Sequence, residues 1–193
     1  IEIYKQARAG KFRMTDSIIV KNEFKSIVDG STYGLELGDD SETDLYAQVG
    51  TKKTVYDLTY EMITVSSNLA TNILIELVDA KVVTQSMREL GANDIQVLRG
   101  VEDTKAYQQG LSNTTTAFDL MVIMKSIAEG KAVSQEASEE MTKILLDQQF
   151  NEIIPAKLPS EVKVAHKTGS ITGVNHDSGF VILPDGRKYV LVL

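Results

Sequence analysis

The stretch that decides the fold is EVKVAHKTGSITGVNHDSGFVILPDGRKYVLVL, residues 161–193. Valine or histidine occupies every second position of residues 162–166, and this period of two predicts a strand. Residues 181–183 and 189–193 predict two more strands, joined by a tight Pro-Asp-Gly turn. The chain is therefore expected to close in an antiparallel sheet whose first strand ends in Lys167-Thr168-Gly169.

A cation, a hydroxyl and a glycine at the end of an apolar strand allow two interpretations. An edge-strand lysine blocks aggregation and a glycine favours a turn, so Lys167-Thr168-Gly169 alone indicates no function. The alternative is that the ammonium and the hydroxyl bind a ligand, because both are hydrogen-bond donors. The remainder of the chain decides between the two.

The composition argues against several classes of protein. With 193 residues, 42% of them hydrophobic and 24% charged, the chain is most simply one domain, residues 1–193. A net charge of −7 without a cluster of Lys and Arg argues against a nucleic-acid partner, and no apolar run has the length of a membrane span. The lack of cysteine and the presence of two histidines exclude disulfides, thiolate metal sites and a multi-histidine metal centre. No cofactor or metal is expected.

Helical periodicity dominates the chain before the sheet. It predicts helices at residues 1–9, 54–65, 69–80, 82–90, 114–130 and 134–149. Two of these helices begin with the Thr-x-x-Asp spacing of a capping box, at Thr54 and at Thr116. Residues 93–113 have no clear period and predict a long loop, a feature that is usually functional or disordered. The fold class is therefore α+β, with a helical body (1–155) packed on an antiparallel sheet (160–193).

Three polar features stand outside this pattern, and each has a structural explanation of its own. Ser66-Ser67-Asn68 lies at a helix junction, where such residues cap free helix N–H groups. Glu102 stands with Arg99 in the long loop, and an acid beside Asp103 is most often solvated. Lys167-Thr168-Gly169-Ser170 is the third feature. Taken singly, none of them predicts a function.

Taken together and in this order, they resemble the motifs of class A β-lactamases and related penicillin-interacting serine hydrolases, whose motif set is S-x-x-K, S-D-N and K-T-G. SSN stands where S-D-N would be, well before KTG, and Asn72 follows Asn68 by four positions. Residues 110–130 resemble the segment after the family's Ω loop. The resemblance covers essentially the whole chain.

The resemblance implies a role for each residue of the KTG segment. Lys167 and Thr168 would hold the carboxylate that a β-lactam or acyl-D-alanine carries beside the scissile amide. Gly169 would let this small-molecule substrate approach the strand edge and pair with it, because glycine has no Cβ. The backbone N–H of Ser170 would be one donor of the oxyanion hole.

The resemblance also implies roles for the SSN segment and the loop. Ser66 would relay a proton to the leaving nitrogen, and Asn68 would bind the acyl amide of the substrate. Glu102, with Asn72 as its partner, would activate the water that hydrolyses the acyl-enzyme. Ser66 and Lys167 are expected to line one pocket.

Two departures from the family pattern affect the function. The S-x-x-K serine is expected upstream of Ile1, because the first residues predict the second half of that helix and the domain is expected to be incomplete at both ends. Ser160-Glu161-Val162-Lys163 matches the motif by chance, since a strand would put its first and last side chains on opposite faces. The Arg-x-Glu spacing of the loop is stretched to Arg99-Gly-Val-Glu102, and the Leu-Asn that normally follows is absent.

Three functions remain open. The leading hypothesis is a β-lactamase of class A type that acts through an acyl-enzyme and confers antibiotic resistance. If Glu102 is misplaced, a penicillin-binding or peptidase-like relative with slow deacylation is expected instead. The third is a catalytically inert scaffold. The resemblance further implies export to the periplasm or the cell exterior, which the chain itself does not encode.

The two histidines predict no catalytic triad. His176-Asp177-Ser178 are neighbours in sequence and cannot converge on one reacting atom, so these residues predict a solvated loop. His166 is expected to be a packed or strand-face histidine.

Overall fold

The computed structural model describes residues 1–171 and 173–193. The helices are α1 Glu2–Arg8, α2 Val55–Thr64, α3 Asn68–Val78, α4 Ala80–Glu89, α5 Thr104–Gln108, α6 Ala117–Ala128 and α7 Gln135–Leu146. The strands are β1 Ser17–Ile19, β2 Phe24–Lys25, β3 Thr32–Tyr33, β4 Lys52–Thr54, β5 Lys163–Ile171, β6 Val174–Ile182 and β7 Lys188–Val192. The predicted α+β class is confirmed. Within the described ranges, no helix has the length and apolarity that a bilayer crossing requires.

Helix capping follows the local sequence in two of three cases. The Thr54 side chain accepts from the backbone N–H of Asp57, and the Asp57 carboxylate accepts from the N–H of Thr54, which confirms the predicted capping box. Ser134, where a helix was predicted to begin, caps α7 by accepting from the N–H of Ala137. Thr116 accepts from Asp119, but the Asp119 carboxylate accepts from the N–H of Asp94 at 3.1 Å. The predicted second capping box is therefore only half formed, because a distant loop supplies the donor.

The chain forms two compact units, of which one comprises residues 2–86 and 96–114. In this unit α2 packs on α3, β1 pairs with β4, and β2 pairs with β3, both pairs being antiparallel. Apolar side chains from α3 and from the strands form its core. The helical periodicity of residues 69–80 predicts that Leu69, Ile73, Leu74 and Leu77 face inward; the first three are buried and Leu77 is partly buried.

The other unit comprises Ile1 with residues 87–95 and 115–193. Its sheet has the strand order β5-β6-β7 and is antiparallel, with α7 packed on β5 and α6 on β6 and β7. Phe180 and Val181 of β6 are both fully buried, and Val181 packs with Ile154 and Val164. The expectation of one domain over residues 1–193 stays a prediction.

The hairpin of β5 and β6 corrects two expectations. β5 does not end at Lys167-Thr168-Gly169 but continues to Ile171, because β6 pairs with it along its length. The interpretation of residues 176–178 as a solvated loop is wrong: they lie in β6, and Asp177 is 0% exposed. A polar side chain tolerates such burial when it finds partners, and Asp177 finds them on β5.

The chance match to S-x-x-K lies in a turn rather than in a strand. Residues 160–162 precede β5, and the N–H of Val162 donates to the carbonyl of Pro159. Ser160 is exposed in this turn. The strand argument therefore does not apply at Ser160, but no helix presents Ser160 beside Lys163 either.

Candidate active site

The Ser66-Ser67-Asn68 segment joins α2 to α3. Ser67 is fully buried, and its side chain caps α3 by accepting from the N–H of Ala70 at 3.2 Å. Ser66 turns the chain into this cap with a φ of +58°, a left-handed conformation that strains any residue with a Cβ. The strained turn fixes the backbone from which the Ser66 hydroxyl projects.

Asp40 holds the same junction from a distant segment. Its carboxylate accepts from the N–H groups of Asn68 and Leu69, both at 3.0 Å, and from the hydroxyl of Tyr46 at 2.9 Å. A negative charge at a helix N-terminus is stabilised by the free N–H groups and the helix dipole. Burial and the neighbouring Asp40 raise the pKa of Tyr46, so this phenol remains a donor. The local sequence did not point to Asp40, because the N–H groups that it accepts from lie 28 and 29 residues away.

The amide of Asn68 is oriented by the same segment. Its Nδ2 donates to the backbone carbonyl of Asp39 at 3.0 Å. This bond sets the rotation of the amide, and therefore which of its two polar atoms faces which way.

Replacing Asp40 by alanine is expected to lower the free energy of unfolding by about 1–2 kcal/mol, because two N–H groups of the first turn of α3 lose their acceptor. Urea unfolding of the variant measures this loss. The matched control is Asp44→Ala, which removes an exposed aspartate of the same segment and is expected to change stability little. Equal losses in the two variants would contradict the role of Asp40.

Asn72 fastens the long loop to α3. Its side chain is 1% exposed, its Oδ1 accepts from the N–H of Val101 at 2.6 Å, and its Nδ2 donates to the carbonyl of Val101 at 3.0 Å. A Cβ at Gly100 would collide with this amide, so glycine is required there. Asn72 therefore grips the backbone at Val101, one residue before Glu102.

A second asparagine holds the preceding part of the loop from the solvent side. Asn113 accepts through Oδ1 from the N–H groups of Leu98 and Arg99, at 2.8 and 3.2 Å. The Arg99 guanidinium donates to the carbonyl of Leu111 at 2.9 Å. The loop is thus built around backbone contacts on both sides.

Glu102 follows the Asn72 contact in an unusual conformation. Its φ is +60°, its side chain is exposed, and it lines a cavity of about 410 Å³ that also contains Glu36 and Asp39. Among the described residues that line this cavity, neither Ser66 nor Asn72 occurs. The predicted partner of Glu102 therefore contacts the backbone one residue earlier instead of the carboxylate.

Asp103, next to the exposed Glu102, is buried. It is 2% exposed and accepts from the Ser26 hydroxyl and the N–H of Ile27, both at 2.9 Å. It also caps α5 by accepting from the N–H of Ala106. Three donors offset the cost of burying this carboxylate. The donor on Ala106 is local, whereas those on Ser26 and Ile27 lie 77 and 76 residues away in the sequence and leave no local pattern.

Lys167 lies on β5, an outer strand of the sheet within the described residues. Its ammonium donates to the carbonyl of Thr168 at 2.7 Å. Burial lowers the pKa of Lys167 to about 8, against the opposing attraction of the Asp177 carboxylate. Near neutral pH the side chain is therefore mostly a cation that has already lost much of its hydration.

Gly169 faces the ring of His176 on β6, its partner in the strand register. A Cβ at this position would overlap the imidazole. The packing of His176 on the neighbouring strand thus requires a glycine here, independently of whether a ligand approaches the strand. Ser170 is exposed, and its hydroxyl donates to the Oδ1 of Asn175 at 2.7 Å.

Gly169→Ala is expected to destabilise the protein by about 1–3 kcal/mol, because the added methyl group displaces the imidazole of His176. Thermal or urea unfolding measures the loss. Combining it with His176→Ala makes room for the methyl group and should recover most of the stability lost in the single variant. An unchanged loss in the double variant would show that the collision is not the cause.

His166 of β5 and Asp177 of β6 form a buried pair close in sequence to Lys167 and Gly169. The Nδ1 of His166 lies 2.9 and 3.0 Å from the two carboxylate oxygens of Asp177, and the side chains are 1% and 0% exposed. The N–H of Ile154 donates to Asp177 at 3.1 Å. The expectation of a packed His166 is confirmed, but the sequence did not predict Asp177 as its partner.

The predicted site residues thus divide between the units. Ser66, Asn68 and Asn72 lie on or beside α3 in the first unit, whereas residues 167–170 lie on β5 in the other. Their assigned roles, and the common pocket expected for Ser66 and Lys167, stay predictions.

Comparison with known proteins adds independent evidence. A family model described as the β-lactamase enzyme family matches residues 1–193. No curated protein matches the chain. Three solved structures illustrate the similarity: a β-lactamase from Sphaerobacter thermophilus DSM 20745, at 29% identity and a TM-score of 0.80; PBP-A, at 25% and 0.81; and a mutant of PBP-A as an acyl-enzyme complex with penicillin G, at 25% and 0.80. The alignments cover 99% of this chain and 68%, 66% and 66% of those structures, so the chain spans about two thirds of their length.

Proposed function

We propose, from the premise that this chain belongs to the β-lactamase enzyme family, that it provides the substrate-binding and proton-transfer groups of a serine hydrolase that opens β-lactams through an acyl-enzyme. The nucleophilic serine of the S-x-x-K motif is expected upstream of Ile1. A mutant of PBP-A, which is similar to this chain, carries penicillin G as an acyl-enzyme, and this similarity supports the proposed intermediate.

The observation that carries the proposal is the state of Lys167. A partly buried ammonium on an outer strand attracts an anion more strongly than a hydrated one, because little water screens it. The Thr168 hydroxyl stands next to it in the sequence and adds a neutral donor. We assign these two residues to the substrate carboxylate, Gly169 to the close approach of the substrate to the strand, and the N–H of Ser170 to the oxyanion hole.

Ser66 and Asn68 act on the other part of the substrate. The Ser66 hydroxyl passes a proton to the nitrogen that leaves when the lactam amide breaks, and so prevents the expulsion of an unprotonated amide anion. Asn68, with its amide rotation set by Asp39, binds the acyl amide. Neither role requires a cofactor.

A second candidate function is a penicillin-binding protein that deacylates slowly. The position of Glu102 favours it, because Asn72 grips Val101 and leaves Glu102 one residue further along, in a left-handed conformation. A carboxylate that does not meet the acyl-enzyme cannot activate the hydrolytic water. Acylation would then be followed by a long-lived covalent complex.

Burst kinetics with a chromogenic cephalosporin test both functions on the full-length gene product. A β-lactamase gives sustained turnover that Glu102→Gln slows at least about tenfold, since a general base contributes on the order of a hundredfold or more. A slow deacylator gives one equivalent of product and a persistent mass increase with penicillin, unchanged by Glu102→Gln. The absence of any covalent adduct would overturn both functions and leave the inert scaffold.

A further inference from the structure

The cavity beside Glu102 has the size of a small-molecule site. Its volume is about 410 Å³, and sites for small ligands measure about 300–1,000 Å³. Its walls come from the segments 31–39 and 102–105 and from Ser26, all of which belong to the first unit. Glu36, Asp39 and Glu102 are exposed, so a ligand can reach the cavity from solvent.

The carboxylates of Glu36, Asp39 and Glu102 give this cavity a negative charge. Within the described ranges, none of the three takes part in a side-chain hydrogen bond or an ion pair. A fourth acid of the lining, Asp103, is buried and already accepts from three donors. Three exposed charges of one sign in a concave place create a field that attracts a cation and repels an anion.

The cations near the cavity do not cancel this charge. Lys105 lines the cavity, but its ammonium donates to the Asp29 carboxylate and the Ser31 hydroxyl, both at 2.7 Å. The hydrogen bonds from Lys105 and Ser31 hold the pKa of the Asp29 carboxyl well below its usual range, so Lys105 and Asp29 form a neutral pair. Lys25 is exposed and donates to the Thr32 hydroxyl of the wall. Three carboxylates therefore stand against one ammonium, and the balance is negative.

The cavity adjoins the residue that is assigned to the acyl amide of the substrate. The Nδ2 of Asn68 donates to the backbone carbonyl of Asp39 at 3.0 Å, and the same Asp39 lines the cavity. The acyl side chain of a β-lactam is attached to the carbonyl carbon of this amide. When Asn68 binds the amide, the side chain therefore comes close to Asp39 and to the cavity.

We propose that the cavity receives the acyl side chain of the substrate and selects side chains that carry an ammonium group next to an aromatic ring. This inference rests on the proposed role of Asn68. The three carboxylates attract the ammonium. The aromatic ring has a partner in Tyr33, which lines the cavity and packs on Phe24 with ring centroids 5.9 Å apart. A neutral side chain gains only the contact with Tyr33, and an anionic one is repelled.

Three penicillins that differ only in one substituent on the α-carbon of a phenylacetyl group test this selection. Ampicillin carries an amino group there, benzylpenicillin a hydrogen and carbenicillin a carboxylate. At about pH 6, the α-amino group is protonated. At low salt, acylation of the full-length protein should be about tenfold faster with ampicillin than with benzylpenicillin and slower still with carbenicillin, and added salt should reduce these differences. Equal rates for ampicillin and carbenicillin would overturn the inference.

Variants at Glu36 separate the effect of the cavity from differences between the penicillins themselves. The Glu36 side chain is exposed and caps no helix, so its replacement leaves the fold intact. Glu36→Gln should reduce the preference for ampicillin over carbenicillin about threefold and Glu36→Lys about tenfold, with benzylpenicillin unchanged. The matched control is Asp44→Asn, which removes an exposed carboxylate of the same segment outside the cavity and should leave the preference unchanged. A preference that survives Glu36→Lys in full contradicts the role of the cavity.

Titration by NMR gives a readout that needs no turnover. Phenylglycinamide carries the ammonium, ring and amide of the ampicillin side chain, and phenylacetamide lacks only the ammonium. In the isotope-labelled full-length protein, phenylglycinamide should shift the backbone amide signals of Glu36, Asp39 and Glu102, and it should bind at least about threefold more tightly than phenylacetamide. If no penicillin forms a covalent adduct, the proposed function fails and this titration alone decides the inference: equal binding of the two amides, or no shift with either, overturns it.

Discussion

Replacing Lys167 by alanine is expected to lower kcat/KM for a carboxylate-bearing β-lactam about a hundredfold, which corresponds to about 3 kcal/mol. The lost interaction is a charge-assisted hydrogen bond made by a partly dehydrated ammonium, which is stronger than the same contact in open solvent. Steady-state or single-turnover acylation of the full-length protein measures the effect. Lys163→Ala, which removes an exposed lysine of the same strand, is the matched control and should remain within about threefold of the wild type.

The same lysine predicts the pH dependence of substrate capture. Because burial lowers the pKa of Lys167 to about 8, the ammonium form dominates below pH 8 and is lost as the pH rises through this value. The affinity for the carboxylate should therefore decline above about pH 8 in the wild type. In Lys167→Arg, the side chain stays charged, so the decline should disappear even if the larger guanidinium binds less well. A pH profile that is identical in both proteins would exclude Lys167 as the titrating group.

Asn72→Ala is expected to reduce the free energy of unfolding by about 2 kcal/mol, because the N–H of Val101 loses its acceptor and its carbonyl keeps only the 3.3 Å hydrogen bond from the Tyr33 hydroxyl. The segment that carries Glu102 would detach from α3, and deacylation should slow more than acylation. Urea unfolding and pre-steady-state kinetics measure the two effects separately.

Asn113→Ala provides the matched control for this loop. Asn113 makes the same kind of contact to the backbone of Leu98 and Arg99, but its side chain is exposed, so water can replace the lost bonds. We expect a loss below about 1 kcal/mol. If Asn113→Ala lowers the free energy of unfolding as much as Asn72→Ala does, the burial of the Asn72 side chain is not the reason why its contact with Val101 stabilises the loop.

The parts of the fold that could be predicted from the sequence are those in which the interacting residues are close together along the chain. The capping box at Thr54 joins residues three positions apart, and the inward face of α3 follows from its own periodicity. The hairpin of β5 and β6 was placed only in part. Its polar residues suggested a loop, whereas the pairing of Asp177 with His166 allows a strand to continue through them.

The candidate site shows the same division. The capping role of Ser67 was predictable, because the N–H group from which its side chain accepts lies three residues away. Asp40 binds a helix that begins 28 residues later in the sequence, and Asp103 binds the N–H of Ile27, 76 residues earlier. Contacts of this length depend on the tertiary fold and leave no local pattern. Likewise, the spacing of the loop residues did not predict that Asn72 would meet Val101 rather than Glu102.

The left-handed backbone at Ser66 has a consequence for laboratory evolution of this protein. Glycine adopts that conformation without strain, so Ser66→Gly should gain up to about 1 kcal/mol in stability while losing the hydroxyl. A library selected for heat resistance alone would therefore enrich a robust variant that has lost the hydroxyl proposed as the proton donor. Selection at this position must reward turnover and thermal tolerance together, because the two properties favour different residues there.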